Sequence, residues 1–348
     1  ILMLIPVCKI TFIKQNGDSY TLDFVTQIEI EESFLCLTNT FKITFPRALD
    51  FKGQNLFHGS TPVFQRGDQV KVELGYFPKL RPIFIGWVAN ISAKIPIEIT
   101  CEDDMFLLKN QVVSYPDAAN IQTVHISKKN GKPSKRTKVI SPQITLKQLL
   151  DHILPADIEY EAIDINLGMF RATKVSAAKV LEVLKDKYGL YATFDLDRKL
   201  IVGFQSNAAS TNVVEFQFEY NIIDDSNLEY QRAEDVSMKV VVISIDLSDV
   251  KTEIEVGDPD GAQRTYHMFN AKQADMLEFA NKMLAEVKYT GYVGSFTTFG
   301  EPYVRPGDVA KLTSTKLPER NGNYIIASVK RTFGIAGYRQ EIELNSIE

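Results

Sequence analysis

The chain runs to 348 residues, 45% of them hydrophobic and 24% charged, with a formal net charge of −5. That length holds roughly two to four domains, and the balance is that of a globular protein able to bury sizeable cores. No apolar stretch approaches the ~20 residues a membrane helix needs, and the negative balance argues against a general nucleic-acid coat.

The opening run Ile1-Leu2-Met3-Leu4-Ile5 is too short for a signal peptide and lacks a basic n-region. With Ile as the first residue, the numbering is expected not to begin at the natural start. Residues 1–110 read as a first small β-barrel. Alternation of apolar and polar residues marks strands at Ile10–Ile13, Leu22–Val25, Ile28–Ile30 and Phe41–Phe45, with Asn16-Gly17-Asp18 as a tight hairpin turn. The turn Arg66-Gly67-Asp68 then precedes Gln69–Val72, the run Ile83–Val88 with Gly86 inside it, and the strand Pro96–Thr100. Many short strands with regular turns favour closure, since an open sheet would expose sticky edges.

Residues 111–141 are polar and read as a long loop or hairpin. They carry Lys128, Lys129, Lys132, Lys135, Arg136 and Lys138, a basic cluster that either contacts DNA phosphates or an acidic partner, or is simply solvated. Residues 142–215 switch to helical period. Leu146, Leu149, Leu150 and Ile153 share one face after Thr145 as N-cap, and Ala177, Val180, Leu181, Leu184 and Tyr188 share another before Gly189. A hairpin around Leu196-Asp197-Arg198 completes this inserted α/β module.

Residues 216–348 read as a second β-barrel that repeats the first. Arg305-Pro306-Gly307-Asp308 precedes a strand as Arg66-Gly67-Asp68 does, and Gly322 opens the run that answers Ile83–Val88. Ile28, Phe41, Ile43 and Phe45 are matched by Leu228, Val241, Ile243 and Ile245 at one constant offset. From Phe45 to Gly67 is 22 positions and from Ile245 to Gly307 is 62, so the second copy carries an insertion at about 250–287. It holds a hairpin, Thr252–Val256 turning at Gly257–Gly261, and a helix capped by Asn270 with Leu277, Ala280, Leu284 and Val287 on one face. A duplicated β unit points to a ring or adaptor before it points to an enzyme.

Candidate chemistry is sparse. Glu102-Asp103-Asp104 is expected to be a solvated acidic turn, and His58, His125, His152 and His267 have neither ligand nor triad spacing. Cys8, Cys36 and Cys101 form no pair with metal or disulfide spacing and are expected as buried reduced thiols from a reducing cytoplasm. No catalytic site, metal or cofactor is expected.

The segment Gly291–Phe296, Gly300–Asp308, Asn321–Ile326 and Val329–Gly334 resembles the baseplate hub proteins of contractile phage tails, the late-control-D-like family related to the hub portion of type VI secretion spike proteins. Gly67-Asp68 through Gly75-Tyr76 to Gly86-Trp87-Val88 matches the same family's first barrel, so the resemblance spans nearly the whole chain. It implies a mainly β fold with two similar small β-barrels, an inserted α+β module, and a homotrimer forming a ring with quasi-sixfold symmetry. It further implies partners in a tail tube protein and a spike protein, DNA passing through the ring without sequence-specific binding, no membrane insertion, and a place in the virion tail or baseplate after synthesis in the bacterial host cytoplasm. Arg66, Gly67 and Asp68, with Arg305, Pro306, Gly307 and Asp308, then become structural turns that fix strand register, with Gly86 and Gly322 in the flanking runs. Since the chain stops at Glu348, the spike is expected as a separate polypeptide. The alternatives are a hub-like distal protein of a noncontractile tail, a tail-associated cell-wall hydrolase, or a carbohydrate-binding β module.

Overall fold

The computed structural model describes residues 5–45, 64–92, 96–116, 143–204, 212–246 and 250–347, together with short strand segments between 50 and 62 and at 122–125 and 137–140. In chain order the strands of the first β copy are β1 (Pro6–Ile13), β2 (Ser19–Leu22), β3 (Gln27–Ser33), β4 (Thr40–Phe45), β5 (Gln69–Tyr76), β6 (Lys79–Ile91) and β7 (Ile97–Glu102). The inserted module follows with β8 (Val112–Tyr115), β9 (Gln143–Thr145), α1 (Leu146–Ile153), β10 (Asn166–Met169), β11 (Ala172–Ser176) and α2 (Ala177–Tyr188). Then come β12 (Tyr191–Phe194), β13 (Leu200–Gly203), β14 (Val213–Gln217), β15 (Ile222–Asp224) and β16 (Leu228–Gln231). The chain continues through β17 (Met238–Ile245), β18 (Lys251–Gly257), β19 (Ala262–Phe269) and α3 (Gln273–Ala285). It ends in β20 (Gly291–Phe299), β21 (Val309–Thr313), β22 (Gly322–Gly334) and β23 (Gly337–Ile347).

The molecule is mainly β with an α+β insertion, and it divides into two compact units. One unit comprises residues 1–106, 191–237 and 285–348; the other comprises 107–190 and 238–284. In the first unit, one continuous sheet runs β2-β1-β5-β6-β7-β4-β3-β22-β23-β20-β15, with β16 also on β20 and with β21 joining β14 to β22. The two β copies are therefore fused edge to edge, β3 against the far half of β22, rather than separated by a loop. Antiparallel pairing there sets Ser33 opposite Ser328 and Gln27 opposite Gly334. The core of the first copy, built on Ile10, Phe12, Ile28, Phe41, Ile43, Val72, Val88 and Ile99, also takes in Phe333 and Tyr338 from the second. The second copy's own core gathers Phe216, Phe296, Leu312, Tyr324, Ile326 and Ile342.

Strand order shows how the copies correspond. In the first, β5-β6-β7-β4-β3 are successive neighbours; in the second, β21-β22-β23-β20-β16 are. The flanking strand differs, since β1 runs antiparallel to β5 whereas β14 runs parallel to β21. The expected match of Leu228, Val241, Ile243 and Ile245 to Ile28, Phe41, Ile43 and Phe45 is overturned: Leu228 faces Gly294 as Ile30, not Ile28, faces Phe41, the counterpart of β4 is β20, and β17 lies in the other unit. The insertion in the second copy accordingly falls between β16 and β20. Alternation alone misassigned β17, because any strand buried on one face satisfies the same pattern.

In the second unit the two expected helices form as the sequence directs. Thr145 caps α1 in a capping box with Gln148, burying Leu146, Leu149, Leu150 and Ile153. Ser176 caps α2, and Gly189 ends it at φ +68, a left-handed value that glycine adopts without a Cβ clash. The sheet of this unit's other part runs β18-β17-β19, antiparallel on one side and parallel on the other. The expected 252–256 hairpin is thus a crossing. The Asp258 amide donates to the Met238 carbonyl at 2.9 Å and its carboxylate accepts from the Met238 amide at 3.1 Å, so the turn passes over the end of β17. Helix α3 covers Val240 and Val242 with Met276, Ala280 and Met283, leaving Leu277 at 45% exposure. Its apolar stripe is rotated from the expected one. Asn270 is not its cap either: it sits at φ +49 with the helix starting at Gln273.

Candidate functional site

The feature the sequence singles out, a Gly-Asp turn written twice, appears twice in the structure with the same bonds. Gly67 and Gly307 adopt φ +89 and +92, a region in which an L side chain strains against the following carbonyl. The Gly67 amide donates to Val88 O at 2.8 Å and the Gly307 amide to Ile326 O at 2.8 Å. The Val88 amide returns a bond to Asp68 O at 2.8 Å, as Ile326 does to Asp308 O at 2.9 Å. Each aspartate then bends back to accept the amide three residues earlier, Gln65 to Asp68 at 2.7 Å and Arg305 to Asp308 at 2.8 Å. Both carboxylates are nearly buried, at 2% and 7% exposure, and their backbone donor is what makes that burial affordable. Arg66 and Pro306 occupy the second turn position and make neither bond; Arg66 instead lies 5.4 Å from the Phe106 ring.

Downstream of each turn the strands bulge at the same place. The register of β6 on β7 shifts between Val88 and Asn90, and that of β22 on β23 between Ile326 and Ser328. Gly86 and Gly322 are not equivalent positions. Gly86 is inside β6, where a Cβ would fall 2.2 Å from the Glu102 carbonyl, and Gly322 opens β22 with its Cβ position 2.8 Å from the Tyr324 hydroxyl. Of the basic cluster, Lys128, Lys129, Lys132, Lys135 and Arg136 lie outside the described residues; Lys138 falls in the short strand 137–140.

The seam between the copies is sealed on its core side by an ion pair that sequence reasoning missed. Arg331 on β22 is fully buried and donates to the Glu32 carboxylate on β3 and to the Val304 carbonyl. Tyr303 lies between two guanidinium groups, Arg331 at 4.8 Å and Arg81 at 4.5 Å from its ring. Burial pushes the Tyr303 hydroxyl up to about 12, so it stays protonated at neutral pH. An Arg in a strand of alternating pattern reads as a surface residue, and nothing local marks this one as internal.

The opposite face of the sheet is mostly polar, with Trp87 and Ile85 of β6 as apolar members. Register places Glu102, Thr40, Glu31, Lys330, Glu341 and Thr297 in one row across six strands, and Thr100, Lys42, Glu29 and Thr332 in the next. Pairs at 3.0 Å join Lys330 to Glu31 and Lys42 to Glu98, and Ser328 donates to Glu343 at 2.6 Å. Acidic groups outnumber basic ones on this face.

The acidic triplet is not a solvated turn. Asp103 and Asp104 are 4% and 2% exposed. Asp103 accepts the Asn39 and Met105 amides, each at 3.0 Å, tying the end of β7 to the start of β4. Asp104 accepts the Trp87 indole N–H at 2.7 Å and both arms of Arg198 at 2.7 and 2.8 Å. Arg198 is held for this at φ +64 in the β12–β13 turn. Asp104→Asn is expected to cost about 1–2 kcal/mol through the lost charge-assisted bonds. It should also shift the emission of Trp87, the single tryptophan, and an unchanged spectrum would count against the assignment.

Cys8 and Cys101 are buried as expected, and burial pushes the Cys8 thiol up to about 11 and Cys101 well above its ordinary value. Cys36 departs from expectation: it is exposed. Among the described residues there is no metal-ligating cluster, and no helix is long and apolar enough to cross a membrane.

No protein-family model matches this sequence, and no curated protein matches it. In fold, the chain is similar to the tail protein of Neisseria meningitidis MC58, with a TM-score of 0.62 at 12% identity over 98% of this chain and 97% of that one. It is similar to the 43 kDa tail protein of prophage MuSo2 from Shewanella oneidensis, with a TM-score of 0.59 at 14% identity over 98% of each chain. A third neighbour is an E. coli component of the type VI secretion system, described as structurally similar to the bacteriophage T4 tail proteins gp27 and gp5. It matches with a TM-score of 0.52 at 10% identity, over 93% of this chain and 74% of that one. The chain thus has the fold of phage-tail and type VI secretion proteins.

Proposed function

We propose that this chain is the structural hub of a phage-tail baseplate. Three copies stand around one axis so that their six β units form a ring with quasi-sixfold symmetry. The observation that carries the reading is the internal repeat: five strands in the same neighbour order, twice, with the same turn bonds and the same bulge. Such a ring offers six near-equivalent surfaces to a sixfold tail tube and three to a threefold spike, which makes a tube protein and a spike protein its natural partners. The likeness in fold to two tail proteins and a type VI secretion component supports this assignment.

The polar face of the sheet suits the lumen of that ring. Its excess of glutamates repels a polyanion, so DNA would slide past without a base-specific grip. The two turns act as register pins in this reading, the chain carries no catalysis, and it resides in the virion tail. Light scattering tests the assembly directly. The purified chain is expected at three times its 39.3 kDa protomer mass. A strict monomer at every concentration would sink the ring.

A further inference from the structure

Three pieces of chain from the two β copies converge on a cleft of about 650 Å³. The first copy supplies Tyr76, Lys79 and Arg81 from the β5–β6 hairpin. The second supplies Phe299 and Glu301 at the end of β20, and Tyr220 and Asn221 from the β14–β15 turn. Pairing accounts for the convergence. Ile222 stands opposite Thr298, which brings the β14–β15 turn alongside Phe299, and the Tyr76 hydroxyl accepts the Gly300 amide at 3.3 Å. The volume lies within the range of small-molecule pockets, about 300–1,000 Å³.

The aromatic walls are fixed by bonds made outside the cleft. The Tyr76 hydroxyl donates to the Tyr338 carbonyl at 3.0 Å, and the Arg339 guanidinium lies 4.7 Å from the Phe299 ring. Asn221 accepts the Gln217 amide at 2.7 Å and donates to the Glu215 carbonyl at 3.3 Å, which closes the turn that carries Tyr220. Tyr220 is nonetheless 84% exposed, an aromatic surface that the fold itself leaves uncovered.

The polar groups of the cleft carry both signs. Glu301 accepts the Tyr303 amide at 2.9 Å and pairs with Arg81 at 3.3 Å, so those two charges match. Lys79 has no ion-pair partner among the described residues, and it leaves the lining with an excess of positive charge.

We infer that the cleft binds an acidic oligosaccharide. Tyr220, Phe299 and Tyr76 offer ring faces to the C–H faces of pyranose units. The Arg81–Glu301 pair offers donors and an acceptor to sugar hydroxyls, and Lys79 meets a sugar carboxylate. Other occupants fit less well. An apolar protein patch would bury Lys79 without a counter-ion, and a nucleotide phosphate would meet the Glu301 carboxylate with one unmatched cation to offset it. Every group in the cleft belongs to one chain, so the inference goes beyond the ring reading and does not rest on it.

Saturation-transfer NMR on the full chain tests the site, with a galacturonate tetramer as the probe. Its C–H protons are expected to receive saturation, and cellotetraose, neutral and of equal length, should bind several-fold more weakly. Tyr220→Ala should weaken binding of the acidic tetramer about tenfold, the upper range for one aromatic contact, while Tyr220→Phe retains it. Lys79→Ala should remove the preference for the acidic tetramer and leave cellotetraose binding unchanged. Both side chains are exposed, so neither change should alter the circular dichroism spectrum or the unfolding midpoint. No transfer to the acidic tetramer at millimolar concentration would overturn the inference, as would equal affinity for the two tetramers or an affinity indifferent to Tyr220→Ala. Adenosine monophosphate bound more tightly than either sugar would make this a nucleotide site instead. An anilinonaphthalene dye that binds in a Tyr220-dependent way while both tetramers fail would make it a protein-docking surface, and either result refutes the saccharide.

Discussion

Replacing Arg331 with methionine should destabilise the β-sheet unit by about 3–5 kcal/mol, the penalty for leaving one member of a buried ion pair without its partner. Arg331 is fully buried and Glu32 is 5% exposed, so water cannot reach in to solvate the abandoned carboxylate. The Val304 carbonyl would lose its donor as well. Adding Glu32→Leu should restore most of the loss, since a packed apolar pair replaces buried charges at little or no net cost. Urea unfolding of the two variants beside the parent measures both effects. A single variant that loses under about 1 kcal/mol, the scale of an exposed pair, would mean the seam is wetter than the geometry shows.

Asp68→Ala and Asp308→Ala should each cost about 2 kcal/mol, within the range for a lost hydrogen bond to a charged group, because each strands a backbone amide in the same turn. The informative quantity is their likeness. The two sites have matching donors at 2.7 and 2.8 Å and matching glycine geometry, so their losses should agree closely and add in the double variant. Asparagine at either position keeps an acceptor and should cost less. Denaturant midpoints for the four proteins decide the matter: a large loss at Asp308 beside a negligible one at Asp68 would refute the equivalence of the turns.

Much of this was legible in the sequence where the signal is local. Thr145, Gly189 and Asn16-Gly17-Asp18 each specify backbone geometry within a few residues, and each formed as read. What stayed hidden depends on partners far along the chain. Val240–Ile245 has the alternation of a barrel strand, yet which sheet it joins is decided by β18 and β19, not by its own residues. Asp103 and Asp104 look solvent-facing until Asn39, 64 positions away, and Arg198, 94 positions away, supply the donors that bury them. Arg331 depends in the same way on Glu32, 299 positions distant. The stripe on α3 was misjudged by about one position because two neighbouring helical faces both carry apolar residues, and only the sheet beneath selects one.

Duplication ordinarily leaves modules that can part company. Here Phe333 and Tyr338 from the later half sit among the innermost side chains of the earlier one, and β3 finds its outer neighbour only once β22 has been made. An N-terminal fragment produced by itself would therefore present Ile28 and Ile30 beside a raw sheet margin, so the two halves succeed or fail as a pair.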